Sequence, residues 1–143
     1  MKKLLFCSLI LSVMSSSFAY DGLGNVITNK NTSMVKILAQ DKTGTGFTVQ
    51  SVNENDITIN QYIDNNNIIF AVTWSGITTP DFSTLLGNYK NYQDNNNSKD
   101  LKNRTINDND LVIVKHYSGR LKKGAAYLKS MLPNGFDVNN LSQ

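Results

Sequence analysis

Ile57, Ile59 and Ile63 recur on one side of a short stretch, with Thr58, Asn60 and Tyr62 between them. A period of two marks a half-buried strand, so the isoleucines are expected to face a core. Residues 68–74 (IIFAVTW) carry no polar side chain before Thr73. A strand apolar on both faces belongs in the middle of a sheet. Its alternation puts Phe70, Val72 and Trp74 on one face and Ile69, Ala71 and Thr73 on the other. Between the two runs, Asp64-Asn65-Asn66-Asn67 reads as a hairpin turn, since Asp and Asn tolerate left-handed backbone angles and bond their own main chain. Further strands are expected over 34–40, 47–52 and 111–114, with a turn at Asn53-Glu54-Asn55. Residues 117–124 read as a turn around Ser118-Gly119. For 125–132 (AAYLKSML) the pattern does not choose between strand and helix.

After Ser75-Gly76 the period changes. Phe82, Leu85, Leu86 and Tyr89 fall at i, i+3, i+4 and i+7, with Thr79 as cap, Pro80 at the first helical position and Asp81 near the positive end of the dipole. This spacing predicts a helix over 80–92, in which Gly87 costs about 1 kcal/mol relative to Ala. Residues 93–110 hold only Leu101 and Ile106 as large apolar side chains among six Asn. Such a segment buries too little to offset its ordering, and a mobile insertion is expected. The fold class that follows is α+β: an antiparallel sheet of about five strands with one main helix packed on one face. Phe70, Trp74, Phe82 and Leu86 are expected to form the core between them.

The start of the chain reads differently. Lys2 and Lys3 precede an apolar run from residue 4 to 14, then small residues in which Ser17 and Ala19 sit three and one positions before Tyr20. This is the layout of a secretory signal peptide, with cleavage expected between Ala19 and Tyr20. The apolar run falls short of the roughly 20 residues that a membrane span needs. The expected organisation is a signal peptide over 1–19 and a single domain over 20–143, opened by a polar, extended leader over 20–33. Cleavage changes the charge. The whole chain of 143 residues has 14 basic and 11 acidic residues and a net charge of +3. Removing Lys2 and Lys3 leaves 12 basic residues against the same 11 acids, so the mature charge is +1. The basicity belongs largely to the expected signal peptide, and nucleic acid is not expected as a partner. Cys7, the one cysteine, is removed as well. Stability must then come from the core rather than from disulfides.

Three segments together resemble a family of exported bacterial proteins known as domain of unknown function 2844. The first is IIFAVTWSGITTPDFSTLLGNY at 68–89, similar to that family's Phe-Ala-Val-x-Trp strand, Gly turn, Pro-Asp and Leu-Leu-Gly-x-Tyr helix. The second is LVIVKHYSG at 111–119. The third is GAAYLKSMLPNG at 124–135, similar to the family's Gly-Arg-Ala-Tyr-Leu-Pro ending, although Ala125 stands in place of the Arg and Lys129 in place of a Pro. Ile77 also stands where the family has Pro. The resemblance runs over roughly 57–135. It implies an exported single domain of no established activity, and it supplies no catalytic residue.

The available chemistry is narrow. A Ser-His-Asp arrangement would have to use His116, the only histidine, and no Gly-x-Ser-x-Gly elbow supports one. The plainer reading of His116 is a half-buried strand end. One histidine and no mature cysteine cannot build a zinc site of several such ligands. Asp94, Asn96 and Ser98 alternate as calcium ligands do, but Lys99 takes the place of the required Gly and Thr105 that of the bidentate Glu. No cofactor is expected, and no catalytic residue is assigned. One charge feature stands out: Lys115, Arg120, Lys122, Lys123 and Lys129 lie between residues 111 and 134 with no acid among them. They form either an anion-binding face or, more plainly, a solvated turn that balances the acids from Glu54 to Asp64. The functional expectation is a periplasmic or secreted, non-enzymatic domain that binds an envelope ligand or protein, with no transmembrane segment in the mature chain. The alternatives are an envelope hydrolase using His116 and a structural or assembly factor.

Overall fold

The structure, a computed structural model, describes residues 20–28, 35–36, 46–92 and 103–142. Residues 1–19, where a signal peptide with cleavage after Ala19 is expected, and residues 93–102 of the expected insertion lie outside the described residues. The described chain forms one sheet of β1 (Val35–Lys36), β2 (Thr48–Glu54), β3 (Ile57–Ile63), β4 (Ile69–Gly76), β5 (Asn103–Asp108), β6 (Leu111–Ser118) and β7 (Leu121–Leu128). Spatial order is β1-β2-β3-β4-β7-β6-β5, and every pair is antiparallel. Two meanders, β2-β3-β4 and β5-β6-β7, therefore meet along β4 and β7. β4 is the fourth of the seven strands, the central place that its two apolar faces require.

The expected α+β class, with about five strands and a main helix over 80–92, is overturned. The only α-helix among the described residues is α1 (Phe82–Leu85), four residues long, followed by a single 3-10 turn at Gly87–Tyr89. Gly87 explains the break. Its φ of 54° leaves the right-handed helical region. In a continuing helix the Leu85 carbonyl would accept from Tyr89. Here it accepts from the Leu23 amide at 2.9 Å, while the Tyr89 amide turns to Leu86, also at 2.9 Å. The cap is Asp81 rather than Thr79: its carboxylate accepts from the Ser83 amide at 2.9 Å and from the Thr84 hydroxyl at 2.7 Å. Those bonds, Thr84 foremost and then Ser83, hold the Asp81 carboxyl below its usual range.

Six strands have six or more residues. Two of these go beyond the expected strands: β7, where the pattern did not choose, and β5, because residues 103–108, read above as part of a mobile insertion, pair with β6 along their whole length, from Asn103↔His116 to Asp108↔Leu111. β5 is an edge strand. Ile106 is its one buried side chain, and ladder hydrogen bonds on one side suffice to hold it.

The first sheet face carries Ile57, Ile59 and Ile63 with Val72, Trp74, Ile113 and Leu128, packed under α1 and the leader. Residues 20–28 of the leader are packed against the sheet. Tyr20, Leu23 and Ile27 are buried, and Leu23 is fully so. Its backbone pairs with β4 and its turn: Gly24 donates to Ile69 O at 2.8 Å, Ile69 to Asn25 O at 3.0 Å and Ile27 to Asn67 O at 2.8 Å. Gln61, which shares the isoleucine face of β3, is buried. Its amide donates to the Asp21 carbonyl at 2.6 Å, which satisfies a group that would be costly to bury alone.

Burial of Tyr20, with smaller contributions from the Glu54 and Asp81 charges, pushes its phenol up to about 12. The folded state therefore favours the neutral phenol. The resulting stability is complete below the ordinary value of about 10 and is lost as pH rises from there towards 12. In a phenolate absorbance titration, Tyr20 should ionise well above the ordinary value, and Tyr20→Phe should lower the amplitude of the late-ionising fraction by one phenol. An unchanged late-ionising amplitude in Tyr20→Phe would mean that Tyr20 is undocked.

The expected division of β4 into faces also needs correction. Tyr62 pairs with Ala71 and Ile63 with Ile69, which leaves Phe70 as a bulge residue. A bulge adds one residue to one strand and re-aims its side chains. Phe70 thus joins Ala71 on the second face, away from Trp74. There Phe47, Tyr62, Phe70 and Phe136 form an edge-to-face cluster, with Phe70 and Phe136 centroids 5.1 Å apart at 81°. Phe136, Leu132 and Leu141 from the C-terminal segment cover this half of the second face. Residues 117–124 are no broad turn. β6 and β7 run through them and leave Gly119-Arg120 as a two-residue hairpin. β7 also settles 125–132 as strand up to Leu128, with a 3-10 turn at Lys129–Met131 after it.

Candidate functional site: a groove on the second sheet face

Directly opposed residues of an antiparallel sheet share a face, so the pairing defines rows across the second face. One row is Val49, Tyr62, Ala71, Tyr127, Val112 and Asn107. The aromatic cluster and the C-terminal segment sit on this row. The next is Ser51, Asn60, Thr73, Ala125, Val114 and Thr105. The last is Asn53, Thr58, Ser75, Lys123, His116 and Asn103. The face thus grades from aromatic to polar within three residues of each strand.

The polar end holds a groove of about 490 Å³. On one wall are Asn60, Thr73 and Ser75, and on the other Thr105, His116 and Asn103. Val114, Ala125 and Leu141 supply the apolar strip, and Lys123 the charge. A side-chain ladder fixes the first wall. Ser51 donates to Asn60 Oδ1 at 2.6 Å, and Asn60 Nδ2 donates to Thr73 Oγ1 at 3.3 Å. Where the two rows meet, burial raises the Tyr62 phenol above its usual range, opposed by a hydrogen bond with the Thr73 side chain. His116 bonds Asn103 through Nδ1. No carboxylate lines the groove.

The five cations singled out in the sequence are not brought together. Period two sends Lys122 and Lys123, adjacent in the chain, to opposite faces. Lys122 bonds the Thr79 hydroxyl at 2.8 Å on the α1 side. Lys115 also lies on that side, its Nζ 4.4 Å from the Phe82 ring centroid and 3.2 Å from the Tyr92 hydroxyl. Lys129 follows β7 at its far end and bonds Asn107 Oδ1 at 3.0 Å. Arg120 is exposed in the β6–β7 hairpin. Lys115 and Lys123 both line the groove, but the Lys115 ammonium is held by Phe82 and Tyr92, and Lys123 shares the groove face with Ser75 and His116. His116, read as a half-buried strand end, is exposed on the groove wall.

The groove residues that sequence reasoning passed over are Asn60, Thr73, Ser75, Asn103 and Thr105. One signal for them was present. Thr58 and Asn60 occupy the side of β3 that the isoleucines leave, and a polar side on a strand next to the sheet centre calls for solvent or a ligand.

The groove offers hydroxyls, amides, the His116 imidazole and the Lys123 ammonium, with Arg104 and Lys115 also in its lining, and no carboxylate beside His116 of the kind a triad requires. No group of three or more His, Cys, Asp or Glu side chains able to hold a metal ion occurs among the described residues. No helix among the described residues is long and apolar enough to cross a membrane.

The family model for a protein of unknown function, DUF2844, matches residues 19–141. The chain belongs to this family. The match spans nearly the whole chain, well beyond the 57–135 of the sequence resemblance, and includes the docked leader and the C-terminal segment that roofs the aromatic cluster. No curated protein and no solved structure matches the chain.

Proposed function

We propose that this DUF2844 protein is an exported, non-enzymatic binding domain of the bacterial envelope, periplasmic or secreted, and that its ligand occupies the groove on the second sheet face. The observation that carries the reading is the contrast within that face. One half is sealed by Phe136, Leu132 and Leu141 over an aromatic cluster. The other half is left as an open groove with a polar wall and an apolar strip. Ligand sites combine apolar lining with a few placed polar groups in this way. Export is supported by the residue order at the start of the chain. The lining also favours binding over hydrolysis, because His116 meets Asn103 rather than a carboxylate.

The test uses the mature chain labelled with nitrogen-15 and a small-molecule extract of the native envelope. Amide resonances of Thr73, Ser75, Thr105 and Lys123 are expected to shift on addition of the extract. The shifts should vanish in Val114→Trp, which fills the groove from a position already 37% exposed. Shifts confined to other parts of the sheet, or shifts unchanged in Val114→Trp, would overturn the assignment.

A further inference from the structure

We infer that the groove selects a polyhydroxylated carboxylate, the chemistry shared by a uronic acid unit of a saccharide and a free sugar acid. The inference rests on the groove being the binding site, and it adds what the site recognises.

The charge comes first. Among the described residues, Lys115, Lys122 and Lys129 each have a hydrogen-bond partner, and Lys115 has aromatic rings as well. Lys123 has none among the described residues and lines the groove half-buried. An ammonium held at a partly desolvated wall with no acid beside it favours an anion, and a carboxylate meets no like charge in this groove. Lys123 also stands in a row with Ser75 on one side and His116 on the other. A carboxylate bound there has hydrogen-bonding neighbours for both of its oxygens.

The rest of the lining describes the remainder of the ligand. Thr73 and Asn60 belong to the row next to Lys123, on the first wall, and Thr105 faces them from β5. Hydroxyl and amide groups both donate and accept, which matches a body bearing several hydroxyls. The apolar strip suits the C–H face of a sugar ring. A volume of about 490 Å³ lies within the range of small-molecule sites, roughly 300–1,000 Å³, and admits one or two such units.

The experiment titrates glucuronate, gluconate, glucose and acetate into the labelled mature chain and follows the amides of Thr73, Ser75, Thr105 and Lys123. Glucuronate or gluconate is expected to bind about tenfold or more tightly than glucose and acetate, the contribution of one charge-assisted hydrogen bond. Preference for glucuronate identifies the saccharide unit, and preference for gluconate the free acid. Lys123→Gln should bring the acid down to the level of glucose. Lys122→Gln, altered on the opposite face, should leave binding unchanged, and both variants should keep the melting temperature. Equal binding of glucuronate and glucose, or an undiminished acid preference in Lys123→Gln, overturns the inference. If glucose binds equally well and is expelled by Val114→Trp, only the acid selectivity falls and the groove stands. If none of the four probes gives saturable shifts at the groove while the envelope extract does, the ligand class falls and the binding site is kept.

Discussion

Replacing Trp74 by Ala is expected to destabilise the protein by about 3–5 kcal/mol, the range for emptying a buried aromatic site. Trp74 is 2% exposed in the central strand, flanked across the ladder by Ile59 and Gly124. Its ring meets Phe82 edge to face at 5.3 Å and 87°. Gly124 is part of the same packing. A Cβ there would lie 2.1 Å from Trp74 Cζ2 and 2.6 Å from the Val114 carbonyl, so the indole occupies the space that any other residue would need. Gly124→Ala is accordingly expected to cost about 1–3 kcal/mol as overpacking. Because Trp74→Ala empties the space that the new methyl requires, the double variant should lose less than the sum of the two singles. Urea melts followed by far-ultraviolet circular dichroism measure all three. A loss below about 1 kcal/mol for Trp74→Ala with the fold kept would show that the ring is not a core element. Strict additivity would show that Gly124 is not shaped by it.

The second large effect is expected at Leu23. Leu23→Ala should cost about 2–5 kcal/mol, although the residue lies in a polar stretch that reads as an extended leader. Leu23 is fully buried in the cluster that holds Leu85, Leu86, Ile69 and Trp74. Its own amide caps α1 at Leu85. Removing the side chain empties the interface through which residues 20–28 hold the helical turn onto the sheet. Denaturation measures the loss, and hydrogen exchange gives an independent check. The amides of Gly24 and Ile27, bonded to Ile69 O and Asn67 O, should exchange about as slowly as those of β4. Rapid exchange there, with a small loss in Leu23→Ala, would make the leader an appendage.

These two sites show where sequence reading succeeds and where it stops. Trp74 stands in a run whose apolar residues leave neither face for water, and its burial follows from that alone. Leu23 stands among Asp, Gly and Asn. Its role comes from contacts with residues more than forty positions away, which leave no local period. The same holds for the polar half of the second face. Its last row takes one residue from each of six strands, and only the order in which β4 meets β7 brings Ser75 beside Lys123. The division of Lys122 from Lys123 was open to local reasoning once 121–128 is read as a strand, because neighbouring side chains on a strand point to opposite faces.

By itself, the chain's sequence determined the periods and the turns. It set the isoleucine face of β3, the two apolar faces and central place of β4, and the Asp64–Asn67 turn, where Asp64 Oδ1 accepts from the Asn66 and Ile68 amides at 2.9 and 2.8 Å. These are nearest-neighbour matters, governed by backbone angles and by which side chains share a face. Only the tertiary structure decided the rest. A four-residue helix replaced the expected long one because the leader takes the Leu85 carbonyl and Gly87 turns left-handed. The bulge at Phe70 moved an aromatic ring to the other face. The polar segment 103–108 became a strand because β6 offered it a full ladder, and hydrogen bonding to a partner strand does not require an apolar side chain.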